Sequence, residues 1–276
     1  MSIKELVNRY CRTDKLPHIW CTGCGNGIVM GAIIRAFDQT DLDQDKTVIV
    51  SGIGCSSRAP GYMNFDTLHA THGRALAYAT GIKLARPELN VVVITGDGDC
   101  AAIGGNHLIH AARRNIDLTV VVFNNSIYGM TGGQFSPLTP AQSYATTAPY
   151  GSIDRNFDLC NLAQAAGATY VARGTAYHTR QLLGLIATGL KHKGFSFIEA
   201  VTQCPMYYGR RNNFRTAVDM LNWQREHAVN VKAAGRMTAE QLDGKFLIGE
   251  LHRESAPEYT AVYEEKIIAR TKGGAR

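Results

Sequence analysis

Two stretches decide how this chain folds: VVVITGDGD (91–99) and, 20 residues further on, TVVVFNN (119–125). Each opens with a continuous β-branched apolar run. A strand exposed on one face alternates apolar and polar residues, whereas a strand covered on both faces does not need to. Both stretches therefore read as central strands of a parallel sheet, each ending in a polar turn. Working outward, KTVIV (46–50), TYVARG (169–174) and SFIEAV (196–201) read as further strands. GNGIVMGAIIRAF (25–37), RALAYATGIKLARP (74–87), AAIGGNHLIHAARRN (101–115), NLAQAAG (161–167) and HTRQLLGLIATGLKH (178–192) carry helical apolar spacing. Strand and helix alternate from about 46 to 201, which predicts an α/β doubly wound parallel sheet. Residues 1–20 read as a lead-in. Residues 205–276 carry two apolar stretches with helical spacing, AVDMLNWQREHAVNV (217–231) and KFLIGEL (245–251), and no strong strand. The expected organisation is an α/β domain over 1–204, then a helical or extended C-terminal tail over 205–276 that packs on the core or on a partner.

Composition narrows the function classes. With 45% hydrophobic and 19% charged residues over 276 positions, a large core is available and global disorder is excluded. The net charge of +6 is spread along the chain rather than concentrated, which argues against a nucleic-acid module. No run approaches the roughly 20 apolar residues of a membrane span. The polar start carries no signal-peptide core, so a cytoplasmic location is expected. Seven cysteines, an odd number, favour metal ligands or buried thiols over a disulfide framework. Glycine is in excess, 28 residues, and the question is what the backbone approaches at those positions.

In an open α/β sheet, ligands bind beyond the carboxyl ends of the strands. GDGD (96–99) and Asn124–Asn125 both follow buried strands, so both fall at that edge. Gly96 and Gly98 allow main-chain amides close to phosphate oxygens. Asp97 and Asn125 offer the hard oxygens that Mg²⁺ prefers. A plain tight turn and a plain loop are the alternatives. A dinucleotide site fits poorly: Gly23, Gly25 and Gly27 lack the Rossmann spacing and follow no strand. A second group of motifs is built on thiols: WCTGCGNG (20–27) with Cys21 and Cys24, SGIGCSSR (51–58) with Cys55, and TQCPMYYGRRN (202–212) with Cys204. C-x-x-C admits structural zinc, a thioredoxin-like redox pair or an iron–sulfur cluster. Zinc ligands usually come as two close pairs, and Cys55 and Cys204 are single and distant. Each ends an expected strand, so they converge on the edge that carries GDGD. His69, His72 and Arg74 in HATHGRA (69–75) are further candidates there, with His72 and Arg74 as the catalytic pair. Ser56 and Ser57 stand where hydroxyls bond phosphate or cap a helix. Cys11, Cys100 and Cys160 read as buried thiols, and Gly81 and Gly189 sit inside helical stretches without an evident reason.

The spacing of GDG, 25 residues and NN resembles the signature of thiamine diphosphate enzymes. The wider set WC-x-GCG, GIGCSS, HGRA, GDGD, AARRN, NN-x-YG and CP before an arginine-rich stretch resembles the β subunits of 2-oxoacid:ferredoxin oxidoreductases, over about residues 15–215. That resemblance implies the diphosphate-binding half of the thiamine fold. It implies Mg²⁺ on Asp97, Asn125 and the main-chain oxygen of Ile127. Thiamine diphosphate would be held by Cys24, Gly25, Ser56, Ser57, His72, Gly96, Asp97, Gly98, Asp99, Asn125, Tyr128, Gly129, Met130 and Thr131. One [4Fe–4S] cluster would sit on Cys21, Cys24, Cys55 and Cys204. The implied activity is coenzyme A-dependent oxidative decarboxylation of a 2-oxoacid, with electrons leaving to ferredoxin. The glutamate that thiamine enzymes use on the aminopyrimidine would come from an α subunit, with further γ and δ subunits in some assemblies. CPMYYGRRNN (204–213) resembles the 2-oxoglutarate type. The loop YGMTGGQ (128–134) lacks the lysine of some of its members, which leaves pyruvate and branched-chain 2-oxoacids open. The rival readings are a non-redox thiamine carboligase and a zinc-dependent nucleic-acid-binding protein.

Overall fold

A computed structural model describes residues 1–272. Its eight-stranded sheet runs β2-β1-β3-β4-β6-β5-β8-β7. The strands are β1 (Thr47–Ser51), β2 (Asp66–His69), β3 (Asn90–Gly96), β4 (Leu118–Asn124), β5 (Tyr170–Thr175), β6 (Phe195–Val201), β7 (Ala228–Asn230) and β8 (Phe246–Arg253). The first six pair in parallel. The continuous apolar runs divide their side chains by parity, as the pleat requires. Val92, Ile94, Val121 and Phe123 face a core built with the helices Asn26–Gln39 and Thr179–Lys191. Val91, Val93, Val120 and Val122 face the other core, under Ala75–Ala85, Gly105–Arg113 and Leu159–Ala165.

The order of connection makes two crevices. After β1 the chain goes outward to β2 and then returns to β3 on the far side of β1, so the loops following β1 and β3 diverge. After β4 it goes to β5 and returns to insert β6 between them, parting the loops after β4 and β6. Such switch points are where open α/β sheets bind ligands. The expected motifs occupy both.

Three local readings needed correction. The lead-in contains a helix, Ile3–Tyr10, with a capping box from Ser2 and Glu5, and it buries Leu6 and Tyr10. The helix expected over 101–115 is shorter than its spacing suggests. A five-residue π-turn, Asp99–Ile103, comes first and the α-helix starts at Gly105. In the tail, the stretch 217–231 is helical only over Ala217–His227 and continues as the short strand β7, and Phe246–Arg253 is a strand. It pairs antiparallel to β5, with a register shift opposite Val171 and Ala172 and with Gly249 at φ 118°. That irregularity disrupts period-2 alternation, so KFLIGEL imitates a helix in sequence. Of the tail through 276, the last four positions, 273–276, lie outside the described residues.

Gly189 acquires a reason. A Cβ there would lie 2.8 Å from Ile198 Cδ1, and its carbonyl accepts from Thr119 Oγ1 (3.2 Å) and Ser196 Oγ (3.0 Å). The helix lies directly on the sheet because that side chain is missing. Gly81 has open space around it. No helix among the described residues is long and apolar enough to cross a membrane.

Candidate active site and thiol cluster

The end of β3 delivers Gly96 and Asp97 into a cleft of about 90 Å³ between the loops after β1, β3 and β4. Its walls include Cys55, Ser56, His72, Gly96, Asp97, Gly98 and Asp99. Asn125, Ile127, Tyr128, Gly129, Met130 and Thr131 complete them from the β4 side. The fold thus gathers most of the expected cofactor residues from four separate loops, with His72 supplied by the one after β2. Gly98 is required by contact: a Cβ there would fall 2.2 Å from the Tyr128 ring, whose hydroxyl donates to Gly98 O at 3.2 Å. Gly96 is similarly close to Ser56 Oγ, at 2.9 Å.

Asp97 is buried, and Ser136 Oγ donates to its Oδ2 at 2.5 Å. Burial pushes its carboxyl up to about 7, because a charged carboxylate loses water there without gaining a cation. The two asparagines of the NN pair divide their work. Asn124 turns inward, donating through Nδ2 to Glu199 Oε1 at 2.6 Å and accepting from Ser126 N at 3.0 Å. Ser126 takes the left-handed conformation, φ 59°, and the chain turns so that Asn125 and Ile127 reach the cleft. Asn125 Oδ1 accepts from Ile127 N at 3.3 Å. A buried carboxylate, an amide oxygen and a main-chain carbonyl on one wall form a donor set suited to a hard divalent cation. Beyond them, Tyr128 and Gln134 close the loop by a main-chain bond of 2.9 Å, with Gly132 and Gly133 both at positive φ.

Five expected residues lie elsewhere. Ser57 is fully buried with its hydroxyl unpartnered, and it does not line the cleft. Neither Ser56 nor Ser57 caps the following helical turn, because the cap position is Cys55. Arg74 is exposed and donates to the carbonyl of His72 at 3.1 Å. Cys24 and Gly25 belong to the thiol group rather than to the cleft wall. His69 ends β2 with Nδ1 3.3 Å from Ser51 Oγ, also off the cleft; burial lowers its pKa, aided by the nearby Arg58. Ser136, Thr95 and the amide of Ile53 take part in the site without a sequence signal. Each is brought in by a hydrogen bond whose partner lies far along the chain or across a turn.

The thiols converge at the second crevice. Cys24 N donates to Cys21 O at 3.0 Å, closing the C-x-x-C turn around Gly23 at φ 78°. Gly25 N donates to Gln203 O at 3.1 Å, and Gln203 Nε2 returns to Gly23 O at 3.2 Å. The turn is therefore laced to the end of β6, beside Cys204. Trp20 Nε1 donates to Cys55 O at 2.7 Å and ties in the loop after β1. A Cβ on Gly129 would stand 3.6 Å from both Cys55 Sγ and Cys204 Sγ. Since Gly129 also lines the cleft, the thiol group and the cleft share this wall. Burial pushes the Cys24 thiol up to about 12 and the Cys55 thiol up to about 11, and raises Cys204. Repulsion among the four sulfurs adds to each. Main-chain amides of Met206, Tyr207 and Tyr208 oppose it at Cys204. Cys11, Cys100 and Cys160 are buried in the hydrophobic cores, as expected.

Residues 52–200 match the family model described as thiamine pyrophosphate enzyme, C-terminal TPP binding domain. The chain is 58% identical over 259 residues to 2-oxoglutarate synthase subunit KorB of Methanothermobacter marburgensis, covering 94% of this chain and 91% of that one. It is 56% identical to the subunit of the same name from Methanocaldococcus jannaschii, covering 91% and 93%. Among solved structures, the 2-oxoglutarate:ferredoxin oxidoreductase of Magnetococcus marinus, with 2-oxoglutarate, coenzyme A and succinyl-CoA bound, is similar at TM-score 0.84 and 34% identity, covering 98% and 91%. The cleft at the ends of β1, β3 and β4 lies within a thiamine diphosphate-binding domain, and the chain belongs to the β-subunit family of 2-oxoacid:ferredoxin oxidoreductases, on its 2-oxoglutarate branch.

Proposed function

We propose that this chain is the catalytic β subunit of an enzyme that oxidatively decarboxylates 2-oxoglutarate with coenzyme A and passes the electrons to ferredoxin. The carrying observation is Gly129: it lines the oxygen-rich cleft together with Cys55, and a Cβ there would stand 3.6 Å from the sulfurs of both Cys55 and Cys204. Thiamine diphosphate supplies the electron sink for decarboxylation, and an iron–sulfur cluster accepts electrons singly. Asp97, Asn125 and the carbonyl of Ile127 would hold Mg²⁺ against the diphosphate. Tyr128, Gly129, Met130 and Thr131 shield that end of the cleft from water. Cys21, Cys24, Cys55 and Cys204 would hold a [4Fe–4S] cluster. Their sequence spacing supports a cluster over one zinc ion, because zinc ligands usually come as two close pairs and Cys55 and Cys204 are single and distant.

The acidic side chains on the cleft wall are Asp97 and Asp99, and both are already engaged. As the family resemblance implies, a glutamate for the aminopyrimidine ring would come from an α subunit, and the chain alone should not turn over. The test is an anaerobic absorption spectrum of the full chain with iron and sulfide analysis, followed by assay with and without its co-expressed α subunit. The expected result is a brown protein, bleached by reductant, that oxidises 2-oxoglutarate only in the complex. Zinc without iron overturns the cluster. Turnover by the chain alone overturns the divided site. Faster reaction with pyruvate or a branched-chain 2-oxoacid overturns the substrate.

A further inference from the structure

The acidic residue that ends GDGD does more than border the cleft. Asp99 is 3% exposed, and its carboxylate takes four bonds, from the end of β3 and from the loops after β1 and β2. Oδ2 accepts from Thr95 Oγ1 at 2.6 Å. Oδ1 accepts from Gly73 N at 2.7 Å, from Ile53 N at 3.3 Å, and from the imidazole Nδ1 of His72. The backbone is shaped to permit this. A Cβ on Gly52 would lie 2.0 Å from the Asp99 carboxylate. Gly73 sits at φ 72°, and a Cβ there would lie 2.3 Å from Ile103 at the end of the π-turn. Two glycines, on the loops after β1 and β2, thus let one carboxylate reach both.

We propose that Asp99 is a positioning residue: it holds His72 with the proton on Nδ1 and so presents Nε2 to the diphosphate cleft. A carboxylate that accepts every other bond it makes also accepts this one, which fixes the proton on Nδ1. His72 lines the cleft with its side chain 36% exposed, and Nε2 has no partner among the described residues. The Tyr128 ring stands edge-on to the imidazole, centroids 6.3 Å apart, and limits its rotation. Nε2 is the ring atom left for the ligand. Asp99 is buried, with three donors on Oδ1 and Thr95 on Oδ2, so its influence on the ligand passes through His72, which lines the cleft. Groups one step behind a binding residue commonly matter by about 10–100-fold.

This inference rests on the diphosphate reading of the cleft, and its test separates the two. In the full chain with ¹⁵N-labelled histidine, long-range proton–nitrogen NMR, assigned with His72→Gln, reads the tautomer without any ligand. Nδ1 should carry the proton and Nε2 should be bare; the opposite tautomer overturns the proposal. Calorimetric titration with thiamine diphosphate and Mg²⁺ then follows Asp99→Asn in wild-type and His72→Gln backgrounds. Asp99→Asn should weaken binding by about tenfold or more in the first and by about twofold or less in the second. Equal loss in both backgrounds means that Asp99 acts directly or only structurally, and overturns it. If Asp99→Asn does not fold, the wild-type spectrum decides. If the wild type binds no thiamine diphosphate, the cofactor reading fails while the tautomer still decides the role of Asp99.

Discussion

Asp97 makes the cleft costly to build without its cation, and the cost can be measured. Its carboxyl moves from an ordinary 3.8 to about 7 because it is buried. Below pH 3.8 the folded and unfolded chains both carry the proton. Between 3.8 and about 7 the unfolded chain releases it and the folded chain keeps it, so rising pH favours unfolding. Above about 7 both are ionised and the penalty is constant. At about 1.4 kcal/mol per pH unit the full penalty is roughly 4 kcal/mol, of which roughly 3 accrues between about pH 5 and about pH 8. Asp97→Asn removes the charge and keeps an oxygen for Ser136. The ligand-free variant should therefore melt above the wild type at about pH 8. That advantage should shrink by roughly 6–12 °C as the pH falls to about 5. Thiamine diphosphate with Mg²⁺ should raise the wild-type melting temperature and leave the variant unmoved. The assay is differential scanning calorimetry of both proteins across that pH range. A ligand-free Asp97→Asn that melts below the wild type at about pH 8, or a difference independent of pH, refutes the reasoning.

Glycine positions give a paired test. Gly25→Ala puts a Cβ 2.0 Å from Thr202 Oγ1 and 2.4 Å from Gln203 Oε1, at the lacing beside Cys204. It should cost about 1–3 kcal/mol in denaturant unfolding and lower iron content. Gly81→Ala, in a helix with open space around it, should gain about 0.5–1 kcal/mol. Similar effects at both positions would sink the packing argument. Arg173 is buried between Glu199 (2.7 Å) and Asp158 (2.5 Å) and donates to Leu247 O on β8 at 3.3 Å. Arg173→Leu leaves Glu199 buried without its cation and should cost about 3–5 kcal/mol in urea unfolding. A loss below about 1 kcal/mol would show that the pair is solvated.

Five of the six parallel strands and their helices were legible because each carries its signal locally. β-branched runs mark strands buried on both faces, and periodic apolar spacing marks the helices. β8 was not legible, since its pairing with β5 is irregular around Gly249 and joins residues more than 70 positions apart. The short β2 was missed for a similar reason: DTLH shows little apolar surface and is a strand only because it lies beside β1.

For the site, the sequence by itself determined which residues carry chemistry. GDGD, NN, Cys55 and Cys204 stand at strand ends, and strand ends of a parallel sheet share one edge. It also determined which thiols stay in the core. Only the tertiary structure decided which of these residues meet. Ser57 turned under its loop and Arg74 went to the surface, while Ser136 came in to bond Asp97. Asp99 was committed to His72 by the closeness that Gly52 and Gly73 allow. The reason is physical. A residue's type and its place at a strand end are properties of its own segment. The direction of its side chain is set by hydrogen bonds and contacts with loops that are remote in sequence.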